Sequence, residues 1–469
     1  MAGILSVLLA GAQGAGAAAV CTFAAGAAAL LISRLKEERD FLLVVFFGGL
    51  ALRMFCGLMI YYTGAQEFFG GDALTYDFLG AQLLKVWQGE TPYHVFDQVL
   101  GVFLNRNWGM IYIVGGIYSI TGQNGLAVQY FCAVLGAATA PVVYLCAVDI
   151  YNNRRAARLA AYATAFFPSL ILWSSQGLKD GPLVFLLALS MLATLRLGRG
   201  LKVAHLALLA AALFGIFTLR FYVFYMMAAS VAGAFLIGAG KVSIKSVVRQ
   251  VFIMLVVGLA MIQFGVLRSA GTQLESYGNL EAVQRSRADL AQSGQSGFGR
   301  DVDVSTTSGA LSAIPLGAVY LLFAPFPWQL ASVRQAITLP EMVVWWAAFP
   351  LLVTGLWFTV KHRLRRALPV LVFTAMLTLA YSVFQGNVGT AYRQRSQLLI
   401  FYFVFAAVGC ELVLELRDDR RRLARAEMMR QAEESARVVE ARRRYDRWKR
   451  EREQHFEEIA RGLSERINF

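Results

Sequence analysis

Charge is scarce along most of this sequence. Charged residues make up 16% of 469 positions and gather in short clusters. The long apolar stretches lack the polar/apolar alternation of a half-buried strand or a barrel wall. Cysteine is also rare. Cys21, Cys56, Cys132, Cys146 and Cys410 all lie inside apolar runs. No pair has metal-ligand spacing and none sits in a loop suited to a disulfide, so they read as small packing residues. The first 33 residues lack a positive leading segment, which argues against a cleaved signal peptide. They are expected to form an Ala- and Gly-rich spanning helix with an external N-terminus.

What remains is apolar. The chain is 57% hydrophobic. Its continuous runs reach the 20 or so residues that cross a hydrocarbon core of roughly 30 Å. Inside lipid every backbone polar group must find an internal partner, so continuous runs of this kind are helices. The expected fold is all-α, a polytopic helical membrane protein of about eleven transmembrane helices. The spans fall near 3–33, 41–62, 125–149, 156–175, 182–195, 203–219, 221–240, 250–267, 341–360, 367–384 and 397–416.

The net charge of +14 belongs to basic loops retained on the cytoplasmic side, so no nucleic-acid partner is expected. The clusters "RLKEER" (34–39), "NNRRAAR" (152–158), "RLGRGLK" (196–202), "KVSIKSVVR" (241–249) and "KHRLRR" (361–366) set the orientation, with the C-terminus cytoplasmic. The segment "AIPLGAVYLLFAPFPW" (313–328) is short for a span and is expected to be re-entrant or interfacial.

Two external loops are long, 63–124 and 268–340. The first contains "YIVGGIYSITG" (112–122), expected to lie on the membrane as an amphipathic helix. The second contains "SGQSGFGRDVDVSTTSG" (293–309), a small, polar, flexible stretch. Residues 1–416 form the transmembrane domain and 417–469 a charged cytoplasmic helical tail. The tail holds sixteen Lys/Arg and twelve Asp/Glu, many spaced three or four apart as on a solvated helix. Phe456, Ile459, Leu463 and Ile467 make a short apolar stripe, through which the tail could self-associate or dock a cytoplasmic partner.

The charges outside these clusters are the candidates for chemistry. "FFGGDALTYDFLGAQLL" (68–84) places Asp72 just past a span, after two glycines that would let backbone approach a ligand. Asp180, in "SSQGLKDGP" (174–182), Arg220, in "TLRFYVF" (218–224), and Arg393 and Arg395, in "GNVGTAYRQRSQ" (386–397), fall at external ends on this topology. External loops are usually poor in arginine. Arginine presents a planar fork that matches phosphate oxygens, so an anion at the interface gives these residues a purpose. The plainer readings are a capping or paired Asp180 and an Arg220 that snorkels to headgroups. Asp77, five residues after Asp72, points to another helix face and reads as structural.

An acid in the first external loop followed by "YDFLGAQLLKVWQG" (76–89) resembles the GT-C superfamily of glycosyltransferases. So does "LCAVDIYNNRRAARLAAYATAFFPSLILWSSQGLKDGPLVFLLAL" (145–189), and the resemblance covers roughly 41–240. Members such as protein mannosyltransferases and aminoarabinose transferases take sugars from polyprenyl-phosphate donors. The resemblance implies an inverting transfer at the non-cytoplasmic face of a bacterial inner membrane. Asp72 would be the base and Arg220, Arg393 and Arg395 would bind the donor phosphate. The acceptor would be a glycan, lipid or protein. Many relatives carry a second acid directly after the first; here that position is Ala73, leaving Asp180 or Asp77 as the second carboxylate. So few acids favour a mechanism with no cofactor and no divalent metal.

Other readings remain. A polysaccharide polymerase or ligase would rely on the external arginines. A lipid-linked sugar transporter would show inverted repeats, and no convincing repeat is present. A scaffold built around the tail leaves the external acids and arginines unexplained.

Overall fold

The computed structural model describes residues 2–35, 38–69, 71–92, 94, 108–237, 244–263, 265–266, 270–271, 273, 278–292, 296–330 and 332–467. Parts of the clusters at 34–39 and 241–249, of the loop at 293–309, and Gly70 of the Gly-Gly pair lie outside the described residues. The protein is all-helical; among the described residues the only β pairing is one isolated bridge between Gly297 and Asn387. Two compact units emerge, 1–410 and 411–469.

The helices are α1 (Ala2–Ser33), α2 (Arg39–Thr63), α3 (Gln66–Phe69), α4 (Asp72–Trp87), α5 (Gly109–Thr121), α6 (Gly125–Tyr151), α7 (Arg154–Phe166), α8 (Pro168–Ser174) and α9 (Asp180–Arg199). There follow α10 (Val203–Leu219), α11 (Phe221–Ile237), α12 (Ile244–Gln263), α13 (Leu280–Gln292), α14 (Thr307–Phe323), α15 (Val333–His362), α16 (Leu364–Phe384) and α17 (Val388–Ile467). Seven are long and apolar enough to cross a bilayer among the described residues: α1 from Gly11, α2, α6, α9, α15, α16 and the apolar start of α17. The bent pair α7 and α8 would make an eighth. The protein is therefore an integral, multi-pass membrane protein. Spans expected near 203–219, 221–240 and 250–267 appear as apolar helices of fewer than 18 residues in their apolar part. The 313–328 segment is mostly helical too, because α14 starts earlier, at Thr307, where the Thr306 hydroxyl accepts from the Gly309 N–H.

Helix α6 is the hub of the N-terminal half; α1, α2, α7 and α9 pack around it. Its entry is fixed by Asn124, whose side chain accepts from the Ala127 N–H. Asn153 does the same for α7 through Ala156. Pro168 cannot supply the N–H that α7 needs to continue, so the chain bends by 52° into α8. In the other half small residues set the spacing. A Cβ on Gly355 of α15 would lie 1.8 Å from the Phe405 carbonyl oxygen of α17. Glycine there allows the close helix approach that replaces hydrophobic force inside lipid. Helix α5, expected to lie on the membrane, packs against α4.

Three helix ends inside unit 1 share one device. The last carbonyls of a helix have no intrahelical donor, and apolar surroundings make that costly. Buried arginines supply the donors. Arg53 reaches the Ala165 and Thr164 oxygens at the end of α7, at 2.7 and 3.4 Å. Arg287 donates to Val383 and Gln385 oxygens at the end of α16, at 2.9 and 2.7 Å. Arg395 donates to the Leu322 oxygen at the end of α14 at 2.9 Å, with Leu321 and Ala324 oxygens also in reach.

Candidate active site

Asp72 is the first residue of α4, where a carboxylate is favoured by the helix dipole. The glycine before it is not a steric necessity: Gly71 has an ordinary φ of −71° and a Cβ there would meet open space. Asp180 is the first residue of α9. It caps nothing, because that helix has no side-chain cap.

Arg393, one turn into α17, joins the two acids. Its Nη1 donates to Asp72 Oδ2 at 2.7 Å and its Nε to Asp180 Oδ2 at 2.8 Å. Nη2 lies 2.6 Å from the same Asp180 oxygen. The two ends of this bridge differ in environment. Asp180 is 1% exposed, whereas the Asp72 side chain is 54% exposed. Arg220, between α10 and α11, closes the cluster with Nη2 at 3.9 Å from Asp180 Oδ1. It does not snorkel outward; its guanidinium is buried over the Tyr222 ring.

Two neighbours were not foreseen. Lys179, in the turn before α9, is buried beside the cluster. Burial, then the positive charges of Arg220 and Arg393, push its amine down to about 7, against the pull of Asp180. Tyr76, one turn after Asp72, is buried. Burial and then the Asp72 charge push its phenol up, so it stays a protonated donor at neutral pH.

The cluster borders a cavity of about 780 Å³, within the size range of small-molecule sites. Phe68, Phe69, Leu172, Val333, Ile337 and Val388 give it apolar walls. Arg393, Arg334 and Trp173 add polar groups. The Trp173 indole N–H is buried with no hydrogen-bond partner, and Arg393 lies over its ring at 5.6 Å. Arg334 packs over Phe68 at 5.0 Å. No periodic signal announced Arg334 or Trp173; each becomes visible only when α3, α8, α15 and α17 come together.

Four of the six residues singled out from the sequence thus meet: Asp72, Asp180, Arg220 and Arg393. The other two do not. Arg395 is turned to the end of α14 and is 1% exposed. Two residues on from Arg393 it leaves the helix about 200° around, so the two cannot share a ligand on one face. Asp77 stands apart from the cluster and accepts hydrogen bonds from Tyr118 and Gln123. Asp180 is the carboxylate that shares Arg393 with Asp72.

Carboxylates and guanidiniums thus gather beside a large, mostly apolar cavity. Residues 108–265 match the family model described as dolichyl-phosphate-mannose-protein mannosyltransferase. The match spans about a third of the chain. The matched segment contains Asp180 and Arg220 but neither Asp72 nor Arg393. No curated protein matches the chain. Among solved structures, the apo crystal structure of the Archaeoglobus fulgidus oligosaccharyltransferase is similar at 14% identity and a TM-score of 0.48. The alignment covers 84% of this chain and 52% of that one, so the chain spans about half its length. The archaeal oligosaccharyltransferase AglB from the same organism, solved with an inhibitory peptide and a dolichol-phosphate, aligns at 15% identity and a TM-score of 0.40. That alignment covers 69% of this chain and 44% of the other.

Proposed function

We propose that this chain transfers a sugar from a polyprenyl-phosphate-linked donor to an acceptor hydroxyl at the non-cytoplasmic face of a bacterial inner membrane. The observation that carries the reading is the Asp72–Arg393–Asp180 bridge at the edge of the 780 Å³ cavity. The apolar walls suit a prenyl chain and the exposed acid suits proton transfer.

The step is one displacement. The acceptor oxygen attacks the anomeric carbon as its proton passes to Asp72, and the carbon–oxygen bond to phosphate breaks. The configuration inverts, and polyprenyl phosphate leaves with the bonding electrons. Arg393 holds Asp72 through one carboxylate oxygen and orients it. With all three guanidinium nitrogens turned to carboxylates, Arg393 is a positioning residue first. Arg334 and the free Trp173 N–H are the donors best placed for phosphate oxygens, with Arg220 adding positive potential behind them. The reading needs no divalent metal: Arg393 and Arg220 together supply two positive charges against the two acids.

The polymerase or ligase reading loses support because Arg395 is spent on helix carbonyls. The proposed external face and cytoplasmic C-terminus follow from the basic clusters at the opposite ends of the spans. The direct test is transfer from a radiolabelled lipid-linked sugar pool by the Asp72→Asn protein. Loss of transfer with retained polyprenyl-phosphate binding is expected, and transfer near the wild-type rate would overturn the assignment.

A further inference from the structure

Residues on the segment around Asp72 line two cavities. Phe68 and Phe69 of this segment line the larger cavity. Gln66, Ala73 and Leu74 line a second one of about 340 Å³. Asp72 directly precedes Ala73 of the second cavity and is bonded to Arg393 of the first. The second cavity differs in chemistry. Its polar wall is Gln13, Tyr61, Gln66, Asp77, Tyr118 and Gln123, drawn from α1 to α5 and the turn after α5.

These groups are already arranged. Tyr118 Oη donates to Asp77 Oδ1, and Gln123 Nε2 donates to Asp77 Oδ2 at 3.1 Å. Tyr61 Oη donates to Gln13 Oε1. Among the described residues no lysine or arginine lines the cavity, and Asp77 would repel an anionic ligand. The apolar walls a prenyl chain needs belong to the other cavity. Amides and phenols donate and accept at once, and a carboxylate accepts at several positions. A ligand dense in neutral hydroxyls, each both donor and acceptor, matches that set.

We propose that the 340 Å³ cavity is the acceptor subsite and that the acceptor is a neutral carbohydrate, held by Asp77, Gln66 and Gln123 so that one hydroxyl reaches Asp72. The proposal rests on the reading of Asp72 as the transfer base and adds the class of acceptor. It also gives Asp77 a purpose that the Asp72 cluster does not.

The test uses the full-length protein in lipid nanodiscs. Binding of maltotriose is read by saturation-transfer NMR, with a Ser/Thr-containing hexapeptide as the second probe. Wild type is expected to bind maltotriose. Asp77→Asn and Tyr118→Phe should each weaken it by about tenfold, the effect of losing a hydrogen bond to a charged group. Gln123→Ala, at the exposed rim, should weaken it too and guards against a misfolded Asp77 variant. Equal maltotriose binding by wild type, Asp77→Asn and Gln123→Ala would overturn the proposal. So would failure of wild type to bind maltotriose, or Asp77-dependent binding of the hexapeptide in its place. Polyprenyl-phosphate binding, measured in parallel, reports on the larger cavity alone. Its absence in wild type would sink the donor reading and leave the saccharide result standing.

Discussion

Replacing Asp72 or Asp180 by asparagine removes one carboxylate charge from the same arginine, yet the two changes should fail differently. The Asp72 side chain is 54% exposed. Such pairs contribute about 0–1 kcal/mol, and Arg393 keeps its contacts to Asp180 in the variant. The Asp72→Asn protein should therefore melt within a few degrees of wild type. Its lesion is chemical, because an amide cannot take the acceptor proton at neutral pH. A lost general base costs roughly 10²–10⁴-fold in rate, or about 2.7–5.4 kcal/mol of barrier. Asp180 is 1% exposed, and its loss leaves Arg393 and Arg220 buried without their shared counter-ion. Breaking a buried pair costs about 3–5 kcal/mol of stability, enough to unfold a marginal protein. The assay is single-turnover transfer of radiolabelled sugar beside thermal unfolding in detergent. Unfolding of Asp72→Asn but not of Asp180→Asn, or transfer by Asp72→Asn at near wild-type rate, would refute these roles.

Three more outcomes follow from the geometry. The folded protein holds Lys179 neutral above about pH 7, while the unfolded chain keeps that proton up to the ordinary lysine range. Stability therefore rises with pH between about 7 and 9 relative to a Lys179→Met variant. Parallel melting curves at pH 6 and 9 with no difference in slope would remove Lys179 from the cluster's electrostatics. Arg395→Leu should lower stability by at least about 3 kcal/mol through stranded α14 carbonyls, read as a lower detergent melting temperature. Polyprenyl-phosphate affinity of the surviving folded fraction should be retained, and its selective loss would restore Arg395 to the site. Single cysteines at 66 and 296 should react with an impermeant maleimide in intact cells and one at 363 should not; the reverse pattern would invert the orientation.

Much of the membrane fold was legible because lipid imposes one rule, that long apolar runs become helices. The acids and arginines of the site were legible for a related reason. Asp72, Asp180, Arg220 and Arg393 each fall near the end of an apolar run, where a charge needs a partner. Two classes of fact were hidden. Residues two apart, Arg393 and Arg395, look alike in a string, and only the helical turn sends one to the acids and the other to α14. Lys179, Arg334 and Trp173 take their importance from neighbours far away in sequence, so no local pattern marks them. Asp77 lies apart from Asp72 on α4, and its pocket is assembled from six helices, too many for any local pattern to mark. Span counting was limited by length, since the 17-residue α10 and α14 sit just under a bilayer's width.

The arginine that seals the end of α7 also sets a problem of timing during synthesis. Arg53 lies in an early span, and the Ala165 oxygen it binds is 112 residues further along. At roughly 5–20 residues per second, about 6–22 s separate the two. Through that interval α2 carries a charge that costs about 2.5–3.5 kcal/mol at the centre of an inserting helix. Arg287 also precedes its partner Val383, by 96 residues, but it lies on α13 outside the spans and crosses no bilayer centre. Arg395 does not wait, because the Leu322 oxygen was made 73 residues before it. Biogenesis is therefore weakest early, while α2 is in the membrane and α7 is not. Substitutions at Arg53 that harm the finished protein should speed the insertion of its first half.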